Sequence, residues 1–185
     1  FTFDAAANRY PLWSPDGTRI AFYSNRTGSS DLYVKAASGA GVEEVLVAFP
    51  QTKVASDWSA DGRFLVYSSV DPQTNLDLWV LPLEGDRTPW VFLKTPFEER
   101  QGTFSPDGRW VAYSSNESGR DEIHIRPFAG PAASGASASQ VGGQWQVSTA
   151  GGTFPRWRAD GRELYYLAPT GAMMAAPITV TGATL

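Results

Sequence analysis

Carboxylates recur at matched places in this 185-residue sequence, and recurring carboxylates are the first candidates for acid–base or metal chemistry. Asp16, Asp61, Asp107 and Asp160 each stand directly before a glycine, while Asp31, Asp77 and Asp121 stand at or near the head of later apolar runs. One phrase repeated along a chain reads as scaffold, because an aspartate before a glycine bonds its own backbone in a turn. Adjacent pairs occur at Glu43-Glu44, Glu98-Glu99 and Asp121-Glu122. Neighbours on a strand point to opposite faces, which makes them poor acid–base partners. His124 is the only histidine, and cysteine is absent. A serine–histidine–acid triad would need His124, yet no Gly-x-Ser-x-Gly elbow accompanies it. Phosphate loops and kinase loops are missing too. The expectation is a chain with no catalytic residues, no cofactor and no metal site.

The aspartates belong to a longer phrase. It reads Leu12-Trp13-Ser14-Pro15-Asp16-Gly17-Thr18, then Asp57-Trp58-Ser59-Ala60-Asp61-Gly62-Arg63. Two more copies are Thr103-Phe104-Ser105-Pro106-Asp107-Gly108-Arg109 and Arg156-Trp157-Arg158-Ala159-Asp160-Gly161-Arg162. The turn glycines are 45, 46 and 53 residues apart, a period that means a repeat architecture. Pro15 and Pro106 pre-set the first corner, and the glycine takes a positive φ. An aromatic residue before each turn and an apolar run after it (Ile20-Ala21-Phe22-Tyr23, Leu65-Val66-Tyr67, Val111-Ala112-Tyr113, Leu164-Tyr165-Tyr166-Leu167) read as paired strands. These runs are apolar at successive positions, so both faces of each sheet should be covered. His124 falls where other copies place Tyr33 and Trp79, a packing position.

Bulk composition agrees with an all-β chain: 13% aromatic residues, 18 Gly, 13 Pro and no long amphipathic period. A net charge of -4 speaks against nucleic acid as partner, since phosphate binding needs a concentrated basic face. No apolar run approaches the length needed to span a membrane, and no signal pattern opens the chain. Phe1-Thr2-Phe3 reads as the end of a strand whose partners lie outside the first repeat. The stretch from Gly130 to Gly143 has no apolar period and is expected to be a flexible surface loop.

Four short strands per repeat, each repeat with one aromatic-turn phrase, describe β-propeller blades. Their bounds are about 8–49, 54–94, 100–149 and 153–185, with a weak last strand near Val180. Trp13-Ser14-Pro15-Asp16-Gly17 and Phe104-Ser105-Pro106-Asp107-Gly108 resemble the TolB-type, WD-repeat-like propeller. The run Gln144-Trp145-Gln146-Val147-Ser148-Thr149, with Pro155 to Gly161 and Glu163 to Leu167, resembles the C-terminal propeller region of bacterial serine/threonine protein kinases. That second resemblance implies a sensor module on the extracytoplasmic side, part of a larger bacterial protein.

A rigid ring of blades presents loops at one end, and function tends to sit on loops. If the first strand of each blade lines the channel, the segments leading into it crowd around one mouth. Arg9, Tyr10, Lys53, Glu98, Arg100 and Phe154 are the candidate binding residues there, joined by the loops between second and third strands. The expected function is a non-catalytic ligand- or protein-binding scaffold. The alternative is an accessory, gating propeller of a prolyl-oligopeptidase-like peptidase, which would need a hydrolase domain elsewhere. Trp13, Trp58, Phe104 and Trp157 are expected to be buried between blades. Four blades closing alone would each have to turn through about 90°. An open half-ring would expose the apolar faces of the end blades. A homodimer completing an eight-bladed ring would cure that, with Phe1-Thr2-Phe3 pairing on the partner's fourth blade.

Overall fold

The computed structural model describes residues 2–3, 5–130 and 143–179. Every regular element among them is a strand. Blade one contains β1 (Asn8–Trp13), β2 (Arg19–Ser24), β3 (Asp31–Ala36) and β4 (Glu44–Val47). Blade two contains β5 (Lys53–Trp58), β6 (Phe64–Asp71), β7 (Asn75–Pro82) and β8 (Trp90–Leu93). Blade three contains β9 (Glu99–Phe104), β10 (Trp110–Ser115), β11 (Glu122–Pro127) and β12 (Trp145–Gln146). Blade four contains β13 (Thr153–Trp157), β14 (Glu163–Leu167) and β15 (Met173–Pro177). Each sheet is an antiparallel meander in chain order. The expected strand near Val180 and the Gly130–Gly143 loop fall on residues 131–142 and 180–185, outside those described.

The repeated phrase folds as its residue types dictate. Ser14 Oγ donates to Asp16 Oδ1 at 2.5 Å, and that oxygen accepts from Thr18 N at 3.0 Å. Ser59–Asp61 and Ser105–Asp107 repeat the pattern at 2.6 Å each. The serine hydroxyl also accepts from the amide five residues on, in Arg19, Phe64 and Trp110. Gly17, Gly62, Gly108 and Gly161 all have φ near +70°, from 68° to 77°, a region closed to most side chains. Blade four has Arg158 in place of the serine, and its guanidinium sits 3.2 Å from Asp160. The four aspartates are thus committed to their turns. The Ser14 hydroxyl above all, with the Thr18 amide, holds the exposed Asp16 carboxyl down at about 2.

Packing follows from successive apolar residues pointing to opposite faces. Leu65 and Tyr67 join Leu32, Val34 and Trp58 in the seam between blades one and two. Val66, between them in sequence, faces blade three with Leu78, Phe104 and Val111. Ile123, Ile125 and Leu164 fill the third seam. The inner strands pack in the order β1, β5, β9, β13, and no comparable packing joins β13 back to β1.

Two expectations about the ends need correction. Trp13 is 57% exposed, because no blade packs on its side of blade one, and Trp157 is only half-buried. Trp58 and Phe104, each between two blades, are buried as expected. Within this single chain Thr2 and Phe3 pair with no strand, and Phe3 lies in solvent with its ring 5.7 Å from Lys35 Nζ; Phe1 lies outside the described residues. The outward face of blade one is not bare either. Phe22 and Tyr33 stack on it at 6.0 Å, and the Arg26 guanidinium covers them at 5.8 and 4.4 Å.

Candidate functional site

An irregularity repeated in the inner strands builds the mouth. In β1, Tyr10 and Pro11 together stand opposite one residue of β2, a bulge between the pairs Arg9–Tyr23 and Leu12–Ala21. The same bulge places Gln101 and Gly102 in β9, and Phe154 and Pro155 in β13. Tyr10, Gln101 and Phe154 adopt φ of 55°, 59° and 54°. A side chain held in that left-handed region is strained, and strain of this kind gathers at binding and catalytic sites. In β5 the extra residue is Ser56, and no positive φ accompanies it. Bulges re-aim side chains, and Tyr10, Gln101 and Phe154 all line one cavity.

The result is a cavity of about 450 Å³ to which the inner strands of all four blades contribute. Tyr10, Ser56, Arg100, Gln101, Phe154 and Arg156 give it its character. Tyr10 and Phe154 are about half-exposed, at 55% and 52%, an unusual state for aromatic rings. Gln101 Oε1 accepts from Ser114 Oγ and from Phe154 N, both at 2.8 Å, and so ties the bulge of blade four to blade three. Arg100 is paired with Glu98 at 3.2 Å and with Asp121 at 2.5 Å. Arg156 donates to Pro155 O at 2.9 Å and lines both this cavity and the hollow beside Trp58. Deeper in, Asp57 accepts from Thr103 Oγ1 and Phe104 N at 2.8 Å each, while burial pushes its carboxyl up. A second hollow of about 390 Å³ opens at the other end of the channel, among Trp13, Trp58, Phe104 and Trp157. A third, of about 430 Å³, lies between the turns of blades three and four. Neither carries strained residues.

The sequence-derived candidates divide. Tyr10, Arg100 and Phe154 line the cavity. Glu98 stands behind it as a counter-ion of Arg100, and Arg9 is exposed outside the lining. Lys53 is placed elsewhere. It is fully buried, with Nζ donating to Asp31 Oδ1 at 3.1 Å and to the carbonyls of Ser30, Phe49 and Gln51. It clamps blade one to blade two and does not face the mouth. Gln101 and Arg156 lacked any motif. One signal could have found Gln101: it stands seven residues before its turn glycine, as Tyr10 and Phe154 do.

The third-strand acids also need one correction. Asp31 pairs with Ser24 and Asp77 with Ser69, but the residue paired with Ser115 is Glu122, not Asp121. His124 stacks on Tyr113 at 5.7 Å, as Trp79 stacks on Tyr67 and Tyr33 on Phe22. Burial holds its imidazole below the ordinary value, so it is neutral at pH 7. Its Nδ1 lies 3.1 Å from Gln144 Nε2. Among the described residues no group of three His, Cys, Asp or Glu is placed to hold a metal ion.

Similar proteins share this architecture. The chain is 32% identical over 108 residues to tricorn protease homolog 1 of Streptomyces coelicolor, covering 56% of this chain but 8% of that protein. A TolB of Agrobacterium tumefaciens superposes with a TM-score of 0.73 at 19% identity, over 89% of this chain and 56% of that one. TolB of Acinetobacter baumannii gives 0.70 at 17%, over 95% and 45%. The tricorn protease gives 0.60 at 20% identity, over 87% of this chain and 15% of that one. The chain therefore spans about half the length of these TolB chains and a small part of the proteases. The family described as the TolB beta propeller domain matches residues 1–125, about two thirds of the sequence. On that match and on its four-blade architecture, the chain belongs to the TolB beta propeller domain family.

Proposed function

We propose that this propeller is a non-catalytic binding module, with the bulge-lined mouth as its site. One observation carries the reading: three inner strands hold Tyr10, Gln101 and Phe154 in a strained backbone state around a common cavity. Its size suits a small ligand or a short segment of a chain. Exposed aromatic rings and an arginine are residue types that anchor interfaces. A sensor role, like that of the kinase-linked propellers the sequence resembles, fits this reading, as does an extracytoplasmic place of action.

Ligand-observed NMR against a peptide and metabolite library tests it. Ligands that bind the wild type should lose at least tenfold in affinity with Phe154→Ala and keep it with Met173→Ala, whose exposed side chain lies on β15. Ligands indifferent to Phe154→Ala would overturn it.

The likeness to tricorn protease homolog 1 favours a second reading, an accessory propeller that filters access to a peptidase. In that case Phe154→Ala in the whole protein should change cleavage of long peptides and spare small chromogenic substrates. Ring closure by a second copy belongs to the same proposal. Sedimentation should then show a dimer, and a monodisperse 20.0 kDa species would exclude it.

A further inference from the structure

Two of the three seams between blades use one repeated pair of side-chain positions, the acid of a third strand and the residue nine before the next turn glycine. At the first seam these are Asp31 and Lys53, a buried ion pair. At the third, Glu122 accepts from Gly151 N at 2.9 and 3.0 Å and from Ser148 Oγ. At the second seam the same positions hold Asp77 and Glu99, two carboxylates 0% and 1% exposed. Thr74 Oγ1 donates to Asp77 Oδ2, and Thr95 Oγ1 to Glu99 Oε1. Asp77 Oδ1 and Glu99 Oε2 have no partner among the described residues.

Two like charges buried in one seam cannot both persist. We propose that the seam between blades two and three is held by a proton kept at the Asp77–Glu99 pair, an acid-keyed joint that loosens when the proton leaves. The joint stands whatever the mouth binds. The surrounding groups give the pair one cation, and that one is shared and reaches Asp77 rather than Glu99. Lys94 Nζ lies 3.7 Å from Asp77 Oδ2 but is engaged by Asp71, itself negative. Lys53 is spent on Asp31, and Asp57 on Thr103 and Phe104 at the far end of β9. From blade three come Glu117, another negative charge, together with Tyr113 and neutral His124. Arg100 is already matched by Glu98 and Asp121.

Burial first, then the charges of Asp77 and Glu117, push the Glu99 carboxyl up to about 7 from an ordinary 4.5. Asp77 is also raised, again chiefly by burial. Because the folded-state value is the higher one, the fold keeps a proton that the unfolded chain releases. The stabilisation is full below pH 4.5 and is lost as pH rises to about 7. Glu99 immediately precedes Arg100 and Gln101, so the joint lies against the mouth.

Thermal unfolding of the intact chain from about pH 5 to about pH 8, with carbon NMR of the Glu99 carboxyl, tests the proposal. The wild-type Tm should fall across this range and that of Glu99→Gln should stay flat relative to it. Glu99→Lys, which rebuilds the pair of the first seam, should exceed the wild type at the alkaline end. Amide shifts of Arg100 and Gln101 should follow the carboxyl with one midpoint. A carboxyl that titrates with a midpoint below about 5 overturns the joint even if neither variant folds. So does a wild-type Tm profile matching that of Glu99→Gln. Arg100 and Gln101 shifts that ignore the carboxyl overturn its link to the mouth.

Discussion

Replacing Lys53 with methionine will destabilise the fold by about 3–5 kcal/mol, the range for removing one partner of a buried ion pair. The three N–H donors of the ammonium are shared among one carboxylate and three carbonyls, the closest at 2.6 Å. Methionine fills the space but donates nothing, leaving Asp31 buried and charged with its main partner gone. Burial works to raise the Asp31 carboxyl, but hydrogen bonds from Thr27, Lys53 and Ser29 outweigh it and hold the group below its ordinary value. Without the lysine, Thr27 and Ser29 alone would have to offset that burial. Urea unfolding measures the loss, and adding Asp31→Asn should recover part of it, since the two residues share one interaction. A Lys53→Met variant of nearly wild-type stability that had lost ligand binding would return the lysine to the mouth.

Trp58→Ala should cost about 3–5 kcal/mol through the cavity it leaves. The same change at Trp13, its counterpart in the repeat, should cost under about 1 kcal/mol. Trp58 is 5% exposed, lies under the Arg19 guanidinium at 5.0 Å, and donates from Nε1 to Gly62 O at 3.0 Å. Trp13 has most of its ring in water already. Side-by-side denaturant titrations give the comparison. Equal losses would show that Trp13 is covered in solution, by a further blade or by a second copy.

What the sequence disclosed was whatever is local. The turn of Ser14, Pro15, Asp16 and Gly17 is closed by bonds spanning at most five residues, so residue type alone predicts it. Alternate burial of Leu65, Val66 and Tyr67 was equally legible, since a run apolar at every position needs cover on both faces. The mouth was legible in location and less so in membership. Lys53 sits at the start of its inner strand, as expected, yet side-chain direction alternates with each residue and sends it into the seam. Asp121 and Glu122 differ in the same way: a slip of one position exchanges the faces, and Glu122 is the one paired with Ser115. The bulges left no mark in residue type, because Tyr10, Gln101 and Phe154 share only their distance from the turn.

The closure of each turn also bears on how such a chain could have grown. In the first three blades the Ser–Asp network lies wholly inside its own blade and borrows nothing from the next. A stretch of gene copied to a new place therefore brings its corner with it, ready-made. Only the boundary with the neighbouring copy must be settled afresh, and the three boundaries settle it with an ion pair, a pair of acids, and an acid held by one backbone amide, a serine and an arginine. The first three blades share what each can build alone and differ where two of them meet.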